Sequence, residues 1–321
     1  MKNLKLLLYR FYSSFAFRIL IGAYVIAIVA GVRIYILERE QEPLVVANIV
    51  VASPSPMTTV EPTTIPTPTP ILTPTPTPIP APSLIPKPKP VVPTNNFLPG
   101  SGYTRQKVST SRGEFVISMV IAPGARVVIE TAGDSDCSDN CPTKSLAEHV
   151  AASGGFAGIN GSYFCPPDYP KCQGKVNTFD TLAVNGRTKA VLNRANNVYS
   201  TVPLVAAYGS RLSFYDQTVQ WGADTSSGGG LANYPRLLRD GAVATTEENG
   251  KGTRGFIASR EDTTVIGHVY SASFADTAEV LKTLGLQNAM NLDGGGSTAL
   301  WYGGYKAGPG RSLPTAIVLV K

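Results

Sequence analysis

The residues best suited to chemistry lie at positions 291–300, which read NLDGGGSTAL. A predicted apolar strand ends at Asp293, and three glycines follow it. Consecutive glycines permit positive φ angles and close approach of a ligand, and their successive amides can bind an anion. An ionised Asp293 beside them is a candidate nucleophile, general base or ligand for sugar hydroxyls; a tight turn capped by the aspartate is the alternative. The donors expected to assist it are Gly294, Gly295, Gly296, Ser297 and Thr298.

The elements that must position this segment are mostly strands. Apolar spacing predicts two helices, at residues 145–153 and 273–284, with Ser273 as N-cap and Gly285 just past the second helix. Runs of β-branched and aromatic residues between turn residues predict strands at 115–121, 125–130, 181–184, 202–208, 264–269 and 289–292. The sequence therefore predicts an α+β fold: a single strand-rich domain with a mixed sheet core and few helices.

The N-terminal part of the chain predicts a membrane anchor. Residues 19–37 are uncharged except for Arg33, and at ~1.5 Å rise per residue they nearly span the ~30 Å hydrocarbon layer. The basic residues within 1–18 favour a cytoplasmic N-terminus, so the span is predicted to be a transmembrane signal anchor with the remaining chain outside the cell membrane. A cleaved signal peptide is the alternative, and it exports the same domain.

Residues 38–100 are predicted to form a disordered linker rich in Pro and Thr. Of the 26 prolines, 16 lie between Pro54 and Pro99. Proline at nearly every second position removes backbone donors and fixes φ, so neither helix nor sheet can form there. The remaining residues, 101–321, are enough for one good-sized domain.

The distribution of charge argues against a nucleic-acid partner. The whole chain carries a net charge of +6, but residues 1–42 contribute +3 of it. Residues 101–321 hold 20 basic and 18 acidic side chains, a net charge of +2. The predicted domain is thus nearly balanced and lacks the strong positive charge that nucleic-acid binding requires.

Four cysteines lie in the predicted exported domain: Cys137, Cys141, Cys165 and Cys172. An even number in an oxidising compartment predicts two disulfides, and the local pairing, first with second and third with fourth, is favoured because both loops are short and polar. The other two pairings stay open. A zinc site is the rival interpretation, although neither spacing matches the usual zinc knuckle.

Several segments in chain order resemble the phosphodiester glycosidase family. The most specific is NLDGGGST, preceded by a predicted helix that ends in Leu-Gly. The others are GFAGINGSYF at 155–164, LAVNGR at 182–187, PRLLRDGAV at 235–243 and GTRGFIAS at 252–259. Together they cover most of the predicted domain, and their order argues against a chance match.

The resemblance implies a substrate of the form sugar–O–phosphate–O–R, cleaved between the anomeric carbon and its oxygen. It implies that Asp293 acts at that carbon as nucleophile or general base, while Arg254 holds the phosphate. The expected partner is a glycan or glycopolymer phosphodiester, and we expect neither a cofactor nor a metal. Further residues expected to bind substrate are Asn160, Gly161, Tyr163, Arg236 and Asp240, the last also a candidate second carboxylate.

Two segments depart from the family pattern. Residues 266–273, IGHVYSAS, contain His268 where family members often carry an Asp-Gly-Arg turn, and GTRGFIAS lacks the usual Thr and Gly. A non-catalytic module that binds surface phosphodiester polymers is therefore the alternative function. A serine hydrolase that uses Ser297 with His268 is a weaker one, because Gly-x-Ser-x-Gly is absent.

Overall fold

The computed structural model of the protein describes residues 92–195 and 197–321. The predicted anchor at 19–37 and nearly all of the predicted linker lie outside these residues. Within the described part, no helix combines the length and the apolar character needed to cross a membrane. Backbone hydrogen bonds join Lys107 to Pro93 and Asn95, so the ordered packing begins a few residues before position 101.

The largest sheet, sheet A, carries the strand that leads to the Gly-rich segment. Its strands are β1 (Gly102–Thr110), β2 (Gly113–Pro123), β10 (Arg236–Arg239), β11 (Ala242–Val243), β12 (Gly252–Arg260), β13 (Thr263–Ala272) and β14 (Asn288–Leu292). They lie in the order β1-β2-β13-β12-β14-β10-β11, so β14 is an interior strand between β12 and β10.

Two smaller sheets of five strands each complete the fold. Sheet B has the order β16-β15-β4-β17-β3 and sheet C the order β6-β5-β9-β7-β8. Sheet B contains β3 (Arg126–Thr131), β4 (Ala157–Asn160), β15 (Leu300–Tyr302), β16 (Tyr305–Ala307) and β17 (Thr315–Val320). Sheet C contains β5 (Ala183–Asn185), β6 (Val191–Leu192), β7 (Leu204–Tyr208), β8 (Arg211–Tyr215) and β9 (Gly229–Ala232).

The expectation of a mixed sheet is wrong. Every pair of neighbouring strands in the described residues is antiparallel. Part of the reason is local: tight turns such as Asp240-Gly241, both at positive φ, join consecutive strands as hairpins, and hairpin strands are antiparallel. Other pairs, such as β2 with β13 and β3 with β17, join strands far apart in the chain, and tertiary packing sets their direction.

Both predicted helices form, as α1 (Leu146–Ala152) and α2 (Phe274–Thr283). Each begins with a serine whose hydroxyl accepts a backbone N–H, Ser145 for α1 and Ser273 for α2. In both cases the N3 carboxylate returns a hydrogen bond to the serine backbone, which completes a capping box. The predicted ends are confirmed because this local chemistry is independent of the tertiary structure. Short 3-10 turns occur at Pro170–Cys172, Asn197–Tyr199, Thr218–Gln220 and Gly295–Ser297.

The core is divided by sheet A. Along β12, Phe256 and Ala258 point toward a cluster that includes α2, whereas Ile257 between them points toward a cluster shared with sheets B and C. This alternation follows from the two-residue period of a strand. Strand β14 lies inside the sheet with both faces covered, so neighbouring strands and both core clusters hold it in place.

A buried carboxylate, that of Glu130, links sheets B and C. Glu130 on β3 is 0% exposed, and its oxygens accept hydrogen bonds from Ser153 after α1 (2.6 Å) and from the Arg187 Nε (3.0 Å). Arg187 follows β5 of sheet C, so this ion pair connects sheets B and C. A buried charge that loses its partner is strongly destabilising.

Replacing Arg187 by Met should lower the free energy of unfolding by roughly 2–3 kcal/mol, less than for a fully buried pair because Arg187 itself is half-exposed. Chemical denaturation would measure the change. The double variant E130Q/R187M should recover much of the loss, since no charge is then left unpaired. Equal stability of R187M and the wild type would contradict this account of the pair.

Candidate active site

Asp293 lies where the chain leaves sheet A and crosses to sheet B. Its backbone N–H donates to the Gly161 carbonyl (2.9 Å), and its own carbonyl accepts from the Asn160 Nδ2 (2.7 Å). Asn160 is the last residue of β4 in sheet B, so the ends of two strands from different sheets hold Asp293 between them. The backbone of this residue is therefore fixed on both sides.

The pKa of the Asp293 carboxyl group is higher than that of an ordinary aspartate. Burial raises its pKa to about 6, while hydrogen bonds from the Ser297 hydroxyl and the Gly294 amide and the charge of Arg311 act in the opposite direction. The Gly294 N–H donates to Asp293 Oδ1 at 2.8 Å. At neutral pH the group is mainly ionised, as a nucleophile or general base must be, yet it is only weakly stabilised in that form.

Asp293 opens into a cavity of about 310 Å³. Among the described residues, it is the one carboxylate in the lining, and two guanidinium groups, those of Arg254 and Arg311, line the cavity with it. Gly294, Gly295 and the ring of Tyr163 form further parts of the wall. One anion facing two cations is an arrangement suited to a substrate that carries negative charge.

Arg254 reaches the cavity from the neighbouring strand. Gly255 pairs with Leu292 in the β12–β14 register, so Arg254 lies opposite Asp293 one position further. Its guanidinium rests 4.5 Å from the ring centroid of Phe274, and its Nη2 donates to the Gly250 carbonyl at 2.7 Å. The antiparallel register thus brings together the two residues predicted to be catalytic.

Arg311 is the functional candidate that the sequence analysis missed. Its Nη1 donates to the Ser297 hydroxyl (3.2 Å), its Nη2 forms an ion pair with Asp168 (2.6 Å), and its guanidinium lies over the ring of Tyr169. A Cβ atom at Gly296 would lie 2.7 Å from the Arg311 Cζ, so a side chain there would displace the guanidinium. The signal in the sequence was an arginine in a Gly-Pro-Gly turn, which looks like any charged surface loop.

Tyr163 lines the same cavity as Asp293 and Arg254. Its hydroxyl accepts a hydrogen bond from the Asn291 Nδ2 at 2.6 Å, and its backbone N–H donates to the Asn233 Oδ1 at 3.1 Å. Burial, and next the charge of Asp293, raise the pKa of Tyr163, while the charge of Arg254 lowers it. The phenol therefore stays protonated, with its oxygen held by Asn291 and its proton available to an acceptor in the cavity.

Asn160 and Gly161 do not face the cavity as expected. Asn160 is 0% exposed, and its Oδ1 accepts from the Ala299 N–H (3.1 Å) while its Nδ2 holds the Asp293 backbone. Gly161 is pressed against Thr315, where a side chain would collide. Both residues position Asp293, because the two sheets meet too closely here to leave room for a ligand.

The serine hydrolase alternative finds no support in the geometry. Ser297 is fully buried with its hydroxyl bonded to Arg311, whereas His268 contacts Asn160 through Nε2 at 3.0 Å. Burial lowers the pKa of His268 to about 3, so the ring is neutral and Nε2 can donate to the Asn160 Oδ1. Thr298 is half-buried, and its hydroxyl has no hydrogen-bond partner among the described residues.

Arg236 and Asp240 lie away from Asp293, which corrects the expectation that they bind substrate with it. Asp240 and the Arg236 Nη2 both contact the Asn288 side chain, at the opposite end of β14. At ~3.3 Å per strand residue, that end is about 16 Å from Asp293. Arg236 is also buried, with its Nη1 3.3 Å from Asp216. A one-dimensional sequence cannot show that the β10–β11 hairpin turns at the far end of the strand.

The cysteines form the two local disulfides, Cys137–Cys141 and Cys165–Cys172, so this pairing is confirmed and the zinc interpretation is wrong. The second disulfide closes the loop that carries Asp168 and Tyr169, the two residues that contact Arg311. Within residues 92–195 and 197–321, no group of three His, Cys, Asp or Glu side chains could hold a metal ion.

Comparison with known proteins agrees with this geometry. The sequence profile described as phosphodiester glycosidase matches residues 153–320, which is more than half of the chain. No curated protein sequence gives a significant match. The chain belongs to the phosphodiester glycosidase family, and it is accordingly an enzyme of the glycosidase type, a hydrolase.

The chain is similar to solved structures at low sequence identity, and one of them shows the same fold. The catalytic domain of zebrafish N-acetylglucosamine-1-phosphodiester alpha-N-acetylglucosaminidase, auto-inhibited by its pro-peptide, is 14% identical with a TM-score of 0.51; the match covers 72% of this chain and 86% of that one. A hypothetical protein from Synechocystis is 15% identical with a TM-score of 0.46, over 68% of this chain and 62% of that one.

The raised pKa of Asp293 predicts that Asp293→Asn stabilises the protein at neutral pH. The unfolded-state pKa is about 3.9, so the folded state binds the proton more tightly and loses relative stability as pH rises from about 4 to about 6. The neutral amide avoids this cost, and the melting temperature should rise on the order of 5 °C at pH 7. Thermal denaturation at about pH 4, where wild type and variant should match, is the control. If the stability of Asp293→Asn relative to wild type were lower at pH 7 than at pH 4, the raised pKa of Asp293 would be refuted.

Proposed function

We propose that the protein hydrolyses the glycosidic C–O bond of sugar-1-phosphodiesters. The observation that carries this proposal is the composition of the Asp293 cavity, in which the described lining residues supply one carboxylate and two guanidinium groups. Most glycosidases need a second carboxyl group, because an alkoxide leaving group has to be protonated. A phosphate monoester departs as a stable anion, so cations can take the place of the acid.

The reaction follows from these groups. Ionised Asp293 removes a proton from water as the water oxygen attacks the anomeric carbon. The bond from that carbon to the phosphate oxygen breaks, and its electron pair stays on the oxygen. The products are the free sugar and a phosphate monoester of the remaining alcohol. If Asp293 attacks the carbon directly, a glycosyl ester forms that water then hydrolyses, and the products are the same.

The cations act where negative charge accumulates. Arg254 and Arg311 reach the cavity from different elements, so they can contact different oxygens of one phosphate. The amides of Gly295 and Gly296 begin a 3-10 turn and so have no partner within it, which leaves them as further donors. Tyr163 can donate its proton from the side of the cavity that Asn291 fixes.

We further propose an exported, membrane-tethered setting. The supporting observations are the apolar run at 19–37, the basic residues before it and the proline-rich segment within 38–100. In this arrangement residues 1–18 are cytoplasmic and the domain at 101–321 lies outside, facing cell-surface or extracellular glycopolymers. The two disulfides of the domain fit an oxidising compartment.

Asp293→Asn should lower kcat/KM for a methyl diester of a sugar 1-phosphate at least ~100-fold, because the general base or nucleophile is lost. The measurement is release of free sugar by the full-length protein. Asp262→Asn, which alters an exposed carboxylate in the turn after β12, is the matched control and should keep wild-type activity. Binding of the diester without turnover by the wild type would instead support the non-catalytic module.

The value of kcat/KM should increase with pH, since the ionised form of Asp293 is the active one. This ascending limb of the pH profile should lie near the Asp293 pKa of about 6. The charge of Arg311 lowers that pKa, so Arg311→Met should move the limb to higher pH. Arg311→Lys keeps a positive charge and should move it less, although its weaker phosphate contact lowers the rate. A kcat/KM that decreases with pH around pH 6 would contradict the role assigned to Asp293. An ascending limb that Arg311→Met leaves in place would contradict the role assigned to Arg311.

A further inference from the structure

A cavity between sheets B and C, away from Asp293, has a cationic lining. It measures about 410 Å³, within the range of about 300–1,000 Å³ typical of ligand sites. Arg126 reaches it from the start of β3, while Arg187 and Lys189 reach it from the turn between β5 and β6. Among the described residues, no carboxylate lines this cavity. We propose that it is a second anion site, which binds a phosphate group, either free or esterified.

The length of β3 separates this cavity from Asp293. The Asp293 N–H donates to the Gly161 carbonyl, and the Gly161 N–H donates to the Thr315 carbonyl. Thr315 pairs with Thr131, the last residue of β3, whereas Arg126 is its first residue. At ~3.3 Å per strand residue, the two ends of β3 are about 16 Å apart. The two cavities share no lining residue, so the proposed site does not depend on the reaction proposed above.

The cations of this cavity keep donors that a ligand can use. Arg126 is exposed and forms no ion pair with any other described residue. The Lys189 Nζ donates to the carbonyls of Gly186 (2.6 Å) and Ser227 (2.8 Å), which occupies two of its three N–H groups. Arg187 uses Nε and Nη2 for the ion pair described above, and its Nη1 is left over. Each cation can therefore donate to an anion without giving up its present contacts.

The carboxylates around this cavity do not cancel its charge for a ligand. Glu130 is fully buried and balances Arg187 alone. Asp134 and Asp224 act on Arg187 and Lys189 through their charge, but neither lines the cavity. The oxygens of Asp224 already accept hydrogen bonds from two neighbouring hydroxyl groups. The charged groups that a ligand would contact are consequently all positive.

The arrangement of donors favours a phosphate over other anions. The cations approach from sheet B and from sheet C, so they can reach several oxygens of a tetrahedral phosphate, whereas a planar carboxylate offers two oxygens on one side. The described lining contains no aromatic ring on which a nucleobase could stack. Hydroxyl groups for the substituents of an esterified phosphate come from Ser153, Ser226 and Ser227.

Calorimetric titration of the full-length protein tests the site. The background is Arg254→Met/Arg311→Met, which removes the cations of the Asp293 cavity so that binding there does not mask the second site. Inorganic phosphate and a glycerol phosphodiester trimer are the two probes, and the one that binds more tightly identifies the ligand as free phosphate or a phosphodiester chain. Adding Arg126→Ala and Lys189→Ala should weaken its binding roughly tenfold, since two ionic contacts are lost.

A charge-matched variant is the control. Adding Lys282→Ala and Lys306→Ala instead removes two positive charges from exposed side chains outside this cavity, and affinity should stay that of the background. Arg187 is left unchanged in every variant, because Glu130 needs its partner. The melting temperature without ligand checks that each variant folds. If Lys189→Ala loosens the two loops that it joins, Arg126→Ala alone should still weaken binding roughly threefold.

The outcomes for this site are separate from those for the glycosidase. Equal affinity of the Arg126→Ala/Lys189→Ala variant and its charge-matched control would overturn the second site, and so would a background that binds neither probe. Both results leave the proposed hydrolysis standing, because release of free sugar tests that on its own. Conversely, the expected loss of affinity supports the second site even if the wild type cleaves no diester.

Discussion

The candidate active site depends on keeping the carboxylate of Asp293 partly buried at the crossover between two sheets. Burial raises its pKa, and a charged group in such a place is costly unless donors face it. The fold supplies them from the Gly294 amide and the Ser297 hydroxyl, with the charge of Arg311 nearby. The backbone is locked by Asn160 and Gly161. The result is a carboxylate that is ionised at neutral pH but remains a good proton acceptor.

The two arginines reach this carboxylate by different routes, which makes the site sensitive to distant parts of the fold. Arg254 is placed by the register of β12 against β14, an extended ladder inside sheet A. Arg311 is placed by a loop and held by Asp168 and Tyr169. The Cys165–Cys172 disulfide closes the segment that carries those two residues. Such a cross-link persists in an oxidising compartment, which is the setting proposed for this domain.

A single carboxylate facing two cations suits one kind of glycosidic bond. The leaving group must be anionic and stable without a proton, which a phosphate monoester is and a sugar alkoxide is not. In the proposed function, the charge of the Asp293 cavity selects the class of substrate.

The strand-rich character, both helices and the family could be predicted from the sequence, and the local disulfides were favoured, because each rests on contacts between residues close in the chain or on an uninterrupted motif. The sequence also singled out Asp293 and Arg254. Three-dimensional packing was needed to show that the sheets of the described residues are antiparallel, that Arg311 joins the site and that Arg236 and Asp240 do not. Asn160 likewise became a buried support rather than a ligand. These facts depend on which strand ends meet in space, and that is fixed by packing between residues more than a hundred positions apart.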